Sequence, residues 1–193
     1  MSDCGVTSRI LDSARRDAGV NPRPFSEKRL ANVWNVGGSN VWSVERWGMD
    51  LHDVNVALSE GDIDSPGVLP KLEELRESPC VLEVSFGLDE LPQQPGVILV
   101  RGARQYGKST WLQQQIARTI EMFGPGTAFY VDGDELRDSS ALIETIRGLL
   151  PLYASKAPVR RLFIDEITAI ADWQTALKRL LDRGELKRIL VVT

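Results

Sequence analysis

From about residue 96 onward, apolar positions form short unbroken runs separated by stretches with helical spacing. Val97-Ile-Leu-Val100, Ala128–Val131, Leu162–Ile164 and Arg188–Val192 read as strands, and Val97–Val100 has the character of a buried parallel strand. Between the first two, Leu112, Ile116, Ile120 and Phe123 share one face of a helix from Thr110 to Phe123, which stops at Gly124-Pro125-Gly126. A second helical face carries Leu142, Ile143, Ile146, Leu149 and Leu150. Asp138-Ser139-Ser140 suits its N-cap and Pro151 ends it. A third carries Ile170, Trp173, Leu177, Leu180 and Leu181 and ends near Gly184. Strands alternating with helices predict an α/β layer structure with a mostly parallel sheet over residues 95–193.

Residues 1–94 follow no such rhythm and predict a separate, irregular α+β region. Ile10–Ala18 reads as a short helix, broken by Asn21-Pro-Arg-Pro24. The stretch from Phe25 to Trp47 is rich in Trp, Val and Asn, with a turn at Gly37-Gly38. Ser59 to Gly67 is acidic and turn-forming, a linker or exposed loop. Leu69 to Glu77 reads as a brief amphipathic helix and Cys80–Phe86 as a strand. The chain ends at Val191-Val192-Thr193, inside or just after a strand. A strand tip there should lead to further loops and helices, so the expectation is a truncated domain.

The chemistry lies where the first of these strands meets the first of these helices. Gly102-Ala-Arg-Gln-Tyr-Gly107-Lys108-Ser109 fits G-x-x-x-x-G-K-[ST], the loop that wraps the phosphates of a nucleoside triphosphate. Strand, glycine loop and helix is the context that motif needs. A loop curling round several closely spaced anionic oxygens must turn its N–H groups inward, so Gly102 and Gly107 stand where side chains would block the curl. Ala103, Arg104, Gln105 and Tyr106 supply backbone between them. The helix N-terminus adds partial positive charge. Lys108 provides a point charge for the β- and γ-phosphates, the Ser109 hydroxyl is a ligand for Mg²⁺, and Thr110 is placed for the α-phosphate.

A second motif completes the expected site. Arg161-Leu-Phe-Ile164-Asp165-Glu166 is a strand-like run ending in two acids. Asp165 would reach Mg²⁺ through water, and Glu166 is the candidate base that orients and polarises an attacking water. Open parallel sheets bind ligands beyond the carboxyl ends of their strands, where both motifs fall.

Composition narrows the field. The net charge is −4, and it is unevenly spread: residues 1–95 hold 9 Lys/Arg against 16 Asp/Glu, residues 96–193 hold 14 against 11. The positive half is the one with the glycine loop, yet it is too weakly basic to argue for nucleic acid by itself. His52 is the only histidine, which argues against a histidine-built zinc site or a Ser-His-Asp triad. Cys4 and Cys80 lack metal-type spacing and read as free thiols in a reducing compartment, the cytoplasm. No apolar stretch approaches a membrane span, and the first residues carry no apolar run fit for a secretory signal. Trp34, Trp42 and Trp47 could stack on bases, but few cations accompany them and core packing is the favoured reading. Lys178, Arg179, Arg183, Lys187 and Arg188 form a basic patch that reads as surface charge.

Val100-Arg-Gly-Ala-Arg-Gln-Tyr-Gly-Lys-Ser-Thr110 resembles the L-R-G-P-R-Q-V-G-K-T-T signature of a family of prokaryotic AAA+-type P-loop ATPases. Phe163-Ile-Asp-Glu-Ile167, followed by Asp172-Trp173 and Leu177-Lys178-Arg179-Leu180, is similar to that family's F-I-D-E-I-Q…D-W…L-K-x-L pattern. The resemblance covers about residues 95–193. It implies a P-loop NTPase three-layer sandwich of the additional-strand, AAA+ type. It also implies ATP and Mg²⁺ as ligands, phosphate and metal roles for Lys108 and Ser109, and the acid pair at Asp165 and Glu166. Ala103 stands where proline is usual and Tyr106 where valine is usual, both at positions that contribute mainly backbone. Thr168 replaces the usual glutamine after Asp-Glu-Ile, so a role of that glutamine does not carry over from the resemblance. The family's fourth core strand usually runs into T-G-S, whose polar groups sense the γ-phosphate; here the sequence stops at Thr193, so nucleotide binding should survive better than turnover.

The leading functional expectation is Mg-ATP hydrolysis by water attack on the γ-phosphate, driving a conformational change. The alternative is a nucleotide-dependent switch or scaffold that binds ATP with little turnover and engages a protein or DNA partner. A P-loop kinase fits less well, because Glu166 favours water as acceptor and no Arg-rich acceptor lid is visible. The resemblance leaves a protein or DNA client and a homo-oligomer open, and ATP over GTP rests on it, with no guanine-reading N-K-x-D present.

Overall fold

The computed structural model describes residues 49–78, 86–88, 90–103 and 106–193. The helix expected at Ile10–Ala18, the tryptophans at 34, 42 and 47, both cysteines and nearly all of the strand expected at 80–86 lie outside them.

Among the described residues are four strands, β1 (Gly96–Ile98), β2 (Ala128–Asp132), β3 (Arg161–Asp165) and β4 (Leu190–Val192), in one parallel sheet of order β1-β4-β3-β2. The α-helices are α1 (Leu51–Glu60), α2 (Pro70–Glu77), α3 (Lys108–Phe123), α4 (Ser139–Leu149) and α5 (Trp173–Asp182). All four expected strands are present. β3 is buried at all five positions and β4 at all three. Successive residues of a strand point to opposite faces, so the sheet is covered on both, which makes the layered α/β architecture of a P-loop NTPase-like fold. β1 departs from the expectation of a buried strand. Among the described residues it pairs only with β4, and Val97 and Leu99 remain 44% and 39% exposed.

The three expected helices form where apolar spacing and caps place them. Asp138 caps α4, its Oδ1 accepting from Ser140 N at 2.8 Å and Ala141 N at 2.9 Å. Pro151 sits in a 3-10 turn, Leu150–Leu152, just past the end of α4. α5 begins only at Trp173, so Ile170 is a buried residue of the preceding loop, and Leu181 points outward at 40% exposure.

α1 was not expected. The sequence does carry its signals: Asp50 caps it by accepting from Asp53 N, Leu51, Val54 and Leu58 share a face, and Gly61 ends it at φ +82°. Its last two residues, Ser59 and Glu60, fall in the stretch read as a linker; Gly61 to Leu69 is the loop to α2. Both helices belong to the same compact unit as the sheet.

α1 also solves a problem of the sheet. Among the described residues β2 is an edge strand, with polar groups facing no neighbouring strand. Asn55, almost fully buried, supplies the missing partner: its Oδ1 accepts from Tyr130 N at 2.8 Å and its Nδ2 donates to Tyr130 O at 2.7 Å. The amide thus imitates one rung of a strand ladder. Gln113 of α3 plays a comparable part for α2, whose N-cap Leu69 offers no side-chain acceptor; Gln113 Oε1 accepts from Lys71 N and Leu72 N at 2.8 and 3.2 Å. Arg161, at the foot of β3, is buried against the Phe123 ring. It donates to Thr119 Oγ1 and to the carbonyls of Leu91 and Pro92, fastening the approach to β1 onto α3.

Replacing Asn55 with Ala removes both bonds to Tyr130 and leaves its N–H and C=O without partners. The expected loss is about 2 kcal/mol of stability, read by denaturant unfolding.

Candidate functional site

The loop from β1 to α3 arrives at the carboxyl end of the sheet. Gly107 precedes the helix at φ +79°, a conformation that costs a glycine little, and Trp111 N donates back to Gly107 O at 2.9 Å. Lys108, Ser109 and Thr110 form the first turn of α3, whose leading N–H groups have no acceptor within the helix. The Lys108 ammonium folds back over its own loop, donating to Gly102 O at 3.3 Å and Ala103 O at 3.2 Å. Ala103 is exposed and Tyr106 is 66% exposed. Arg104 and Gln105 lie outside the described residues.

Asp165 is the last residue of β3 and is 6% exposed. Its Oδ1 accepts from Glu166 N at 2.9 Å. Glu166 itself stands at φ +41°, ψ +37°, in the left-handed region that a non-glycine residue seldom adopts. A 3-10 turn, Ile167–Ala169, follows.

These two motifs, more than fifty residues apart in sequence, share one cavity of about 500 Å³. Gly102 and Lys108 line it from the loop, Asp165 and Glu166 from the tip of β3, and Leu112 from α3. The structure adds residues that sequence reasoning did not assign to the site: Leu99, Arg101, Thr168, Trp173, Gln174 and Thr193. Trp173 and Gln174 were unmarked because only the packing of α5 turns that helix start toward the cavity. Thr193 follows β4, which lies between β1 and β3, and so reaches the same wall; its buried Oγ1 has no hydrogen-bond partner. Ser109 and Thr110 sit in the adjoining turn rather than on the cavity wall.

The acid side of the cavity is electrostatically crowded. Asp132 ends β2 directly opposite Asp165 in register. Burial raises the Asp132 carboxyl above its ordinary value; a hydrogen bond from Asp134 N opposes this, and the charges of Asp165 and Asp134 add to it. Burial, and then Asp165 and Asp132, likewise push the Tyr130 phenol up. Among the described residues, no group of three or more His, Cys, Asp or Glu is placed to hold a metal alone. A hard cation here would need phosphate oxygens and water besides protein ligands, as Mg²⁺ at a nucleotide does. The basic residues 178, 179, 183, 187 and 188 are all exposed and none lines this cavity, and His52 is an exposed residue of α1.

A parallel sheet with a glycine loop opening a helix at its carboxyl edge defines an α/β protein of the P-loop nucleotide-binding type. A family model described as "AAA domain" matches residues 94–193, just over half of the chain, and the protein belongs to that family. This assigns it a nucleotide-binding, ATPase-type character. Comparison with curated proteins and with solved structures found no match. No helix among the described residues is long and apolar enough to cross a membrane.

The raised value of Asp132 has a definite sign for stability. An acid whose folded pKa exceeds its unfolded one favours folding below the unfolded value, and that contribution is lost as pH rises through the folded value. In the metal-free protein, Asp132→Asn keeps an acceptor for Asp134 N and removes the burdened charge. It should therefore raise the thermal midpoint at pH 7, and the gain should vanish below about pH 4, where the wild-type carboxyl is protonated too.

Proposed function

We propose that this protein binds Mg-ATP in the cavity between its glycine loop and its acid pair and hydrolyses it. The observation that carries this is the shared cavity, where one ammonium group faces two carboxylates across a space open to a polyphosphate tail. The backbone from Gly102 to Ser109, with Ala103, Arg104, Gln105 and Tyr106 between the glycines, cradles the phosphates, with Thr110 beside the α-phosphate. Lys108 leaves the carbonyls of Gly102 and Ala103 for the β- and γ-phosphates. That exchange replaces two bonds to neutral acceptors with bonds to charged ones, roughly twice as strong.

The donor set fits Mg²⁺: a hydroxyl at Ser109 and a carboxylate at Asp165, both oxygen and neither soft. When bound, the ion would neutralise charge building on the phosphate oxygens. Glu166 Oε atoms accept a proton from the attacking water and orient it toward the γ-phosphorus, with Lys108 stabilising the charge on the transferring group. The apolar residues Leu99, Leu112 and Trp173 on the same wall reduce the water that competes for these charges. The energy released drives a conformational change. The closer kinship with prokaryotic ATPases, the ATP preference, assembly into a homo-oligomer and a protein or DNA client belong to this reading and rest on the resemblance in the two motifs; the cytoplasmic setting rests on reading Cys4 and Cys80 as free thiols.

Lys108→Ala should weaken Mg-ATP binding at least tenfold in calorimetry, the loss of about one charge-assisted bond. Glu166→Gln should keep Mg-ATP affinity within about twofold while lowering steady-state phosphate release on the order of a hundredfold, the lower range for removal of a general base. Unchanged release in that variant removes Glu166 from the chemistry. Wild-type release at background with intact binding would instead make the protein a nucleotide-gated switch that engages its partner without turnover.

A further inference from the structure

Glu166 does not hold its unusual backbone conformation alone. Its peptide packs against the turn that follows β2, at Gly133. A Cβ built on Gly133 falls 2.5 Å from the Glu166 carbonyl oxygen, 2.9 Å from its carbonyl carbon and 3.0 Å from the Asp165 carbonyl oxygen. Gly133 itself has no positive φ, so its own backbone would accept a side chain. Only the approach of Glu166 forbids one. Gly133 is buried, and the contact is with main chain, which cannot swing aside as the end of a flexible side chain can.

The turn is held from its own side as well. Asp132, paired in register with Asp165, caps the 3-10 turn Gly133–Glu135 by accepting from Asp134 N at 2.9 Å, and Leu136 N closes it on Gly133 O at 3.2 Å. On the facing side, Asp165 Oδ1 accepts from Glu166 N and Glu166 O accepts from Ala169 N, both at 2.9 Å. Two short turns, each pinned internally, thus meet backbone to backbone at Gly133 and Glu166. Neither half can shift without breaking a bond of its own.

We propose that Gly133 is a positioning residue for Glu166: the bare backbone of the turn after β2 fixes the Glu166 peptide and so aims its carboxylate into the cavity. This rests on the reading of Glu166 as the base. Gly133 lines no part of the cavity, so its influence on turnover runs through Glu166 and leaves nucleotide affinity alone.

Gly133→Ala tests it, with Gly148→Ala as control. Gly148 lies on α4, where an added Cβ meets nothing within 4 Å, so that variant should keep wild-type turnover. In Gly133→Ala, kcat for phosphate release should fall at least tenfold while the Kd for Mg-ATP stays within twofold of wild type. Unchanged kcat, or kcat and affinity falling together, overturns the proposal. A stability cycle reports on the contact without any turnover. Glycine at 166 lets that peptide move aside, so the drop in thermal midpoint caused by Gly133→Ala should shrink by at least half in a Glu166→Gly background, and the double variant should fold even where Gly133→Ala alone does not. Equal drops in both backgrounds overturn it. If the cycle shows coupling but Glu166→Gln hydrolyses ATP as wild type does, the contact stands and it is the catalytic reading of Glu166 that fails.

Discussion

The site depends on one pairing constraint, the insertion of β4 between β1 and β3. Ile98 of β1 and Phe163 of β3 are both in register with Val192. The two strands that flank β4 therefore run side by side, β1 ending level with Phe163 and leading into the glycine loop, β3 continuing past that level to Asp165 and the acid pair. Adjacent strands lie about 4.8 Å apart, so the exits of β1 and β3 are separated by roughly 10 Å across the tip of β4. A slip of one residue in either pairing would turn every side chain of that strand to the other face and carry the ammonium or the carboxylate away from the cavity. The proposed phosphate site thus rests on β-ladder register, which in turn is anchored by β3 and β4, the strands buried along their whole length.

Burial at that depth leaves polar debts at the margins of the sheet, and they are met by single side chains. Asn55 closes the open edge of β2 at Tyr130, Gln113 caps α2, and Arg161 ties Leu91 and Pro92 to β3 and α3. Each is a buried polar group with neutral partners, and each joins elements far apart in the chain. An apolar substitute at any of them would gain transfer free energy and lose the bonds of a partner it leaves behind, and the second effect is the larger when the orphan is buried backbone. The two helices that precede the family-matched segment are accordingly bound to it by specific hydrogen bonds as well as by apolar contact.

Much of this was legible in advance because it is periodic or local. The four strands announce themselves as apolar runs, α3 and α4 as faces with caps, and the glycine loop by its fixed spacing between a strand and a helix. What was not legible is what depends on pairing at a distance. β1 reads as a buried strand, yet its outer edge lies open among the described residues because sheet order, which no local pattern encodes, puts it at the margin. α1 escaped notice because Asn55 interrupts its apolar face; the residue that weakens the pattern is the one that serves β2. Trp173, Gln174 and Thr193 join the cavity only through the packing of α5 and the placement of β4. The crowding at Gly133 is invisible in sequence, since a glycine at a turn is usually explained by its own φ.

The described residues include two non-glycine residues with positive φ, Glu166 and Asp172. They bracket the short segment between β3 and α5 that lines the cavity past the acid pair. A left-handed conformation costs a residue with a side chain about 1–2 kcal/mol. Glycine at either position would remove that cost. At 166 the conformation turns the chain sharply after the strand, which separates the carboxylate of Glu166 from that of Asp165 although the two are neighbours in sequence. In a regular strand they would point to opposite faces; in a helix they would sit about 100° apart around its axis. The kink permits both to line one wall with different surroundings, Asp165 buried and bonded to the next peptide, Glu166 more open to the cavity. The two acids of the proposed site thus stand in different surroundings although they are neighbours in sequence. Strain confined to this segment, with Gly133 packed against the Glu166 peptide, is the form that preorganisation takes in a small parallel sheet.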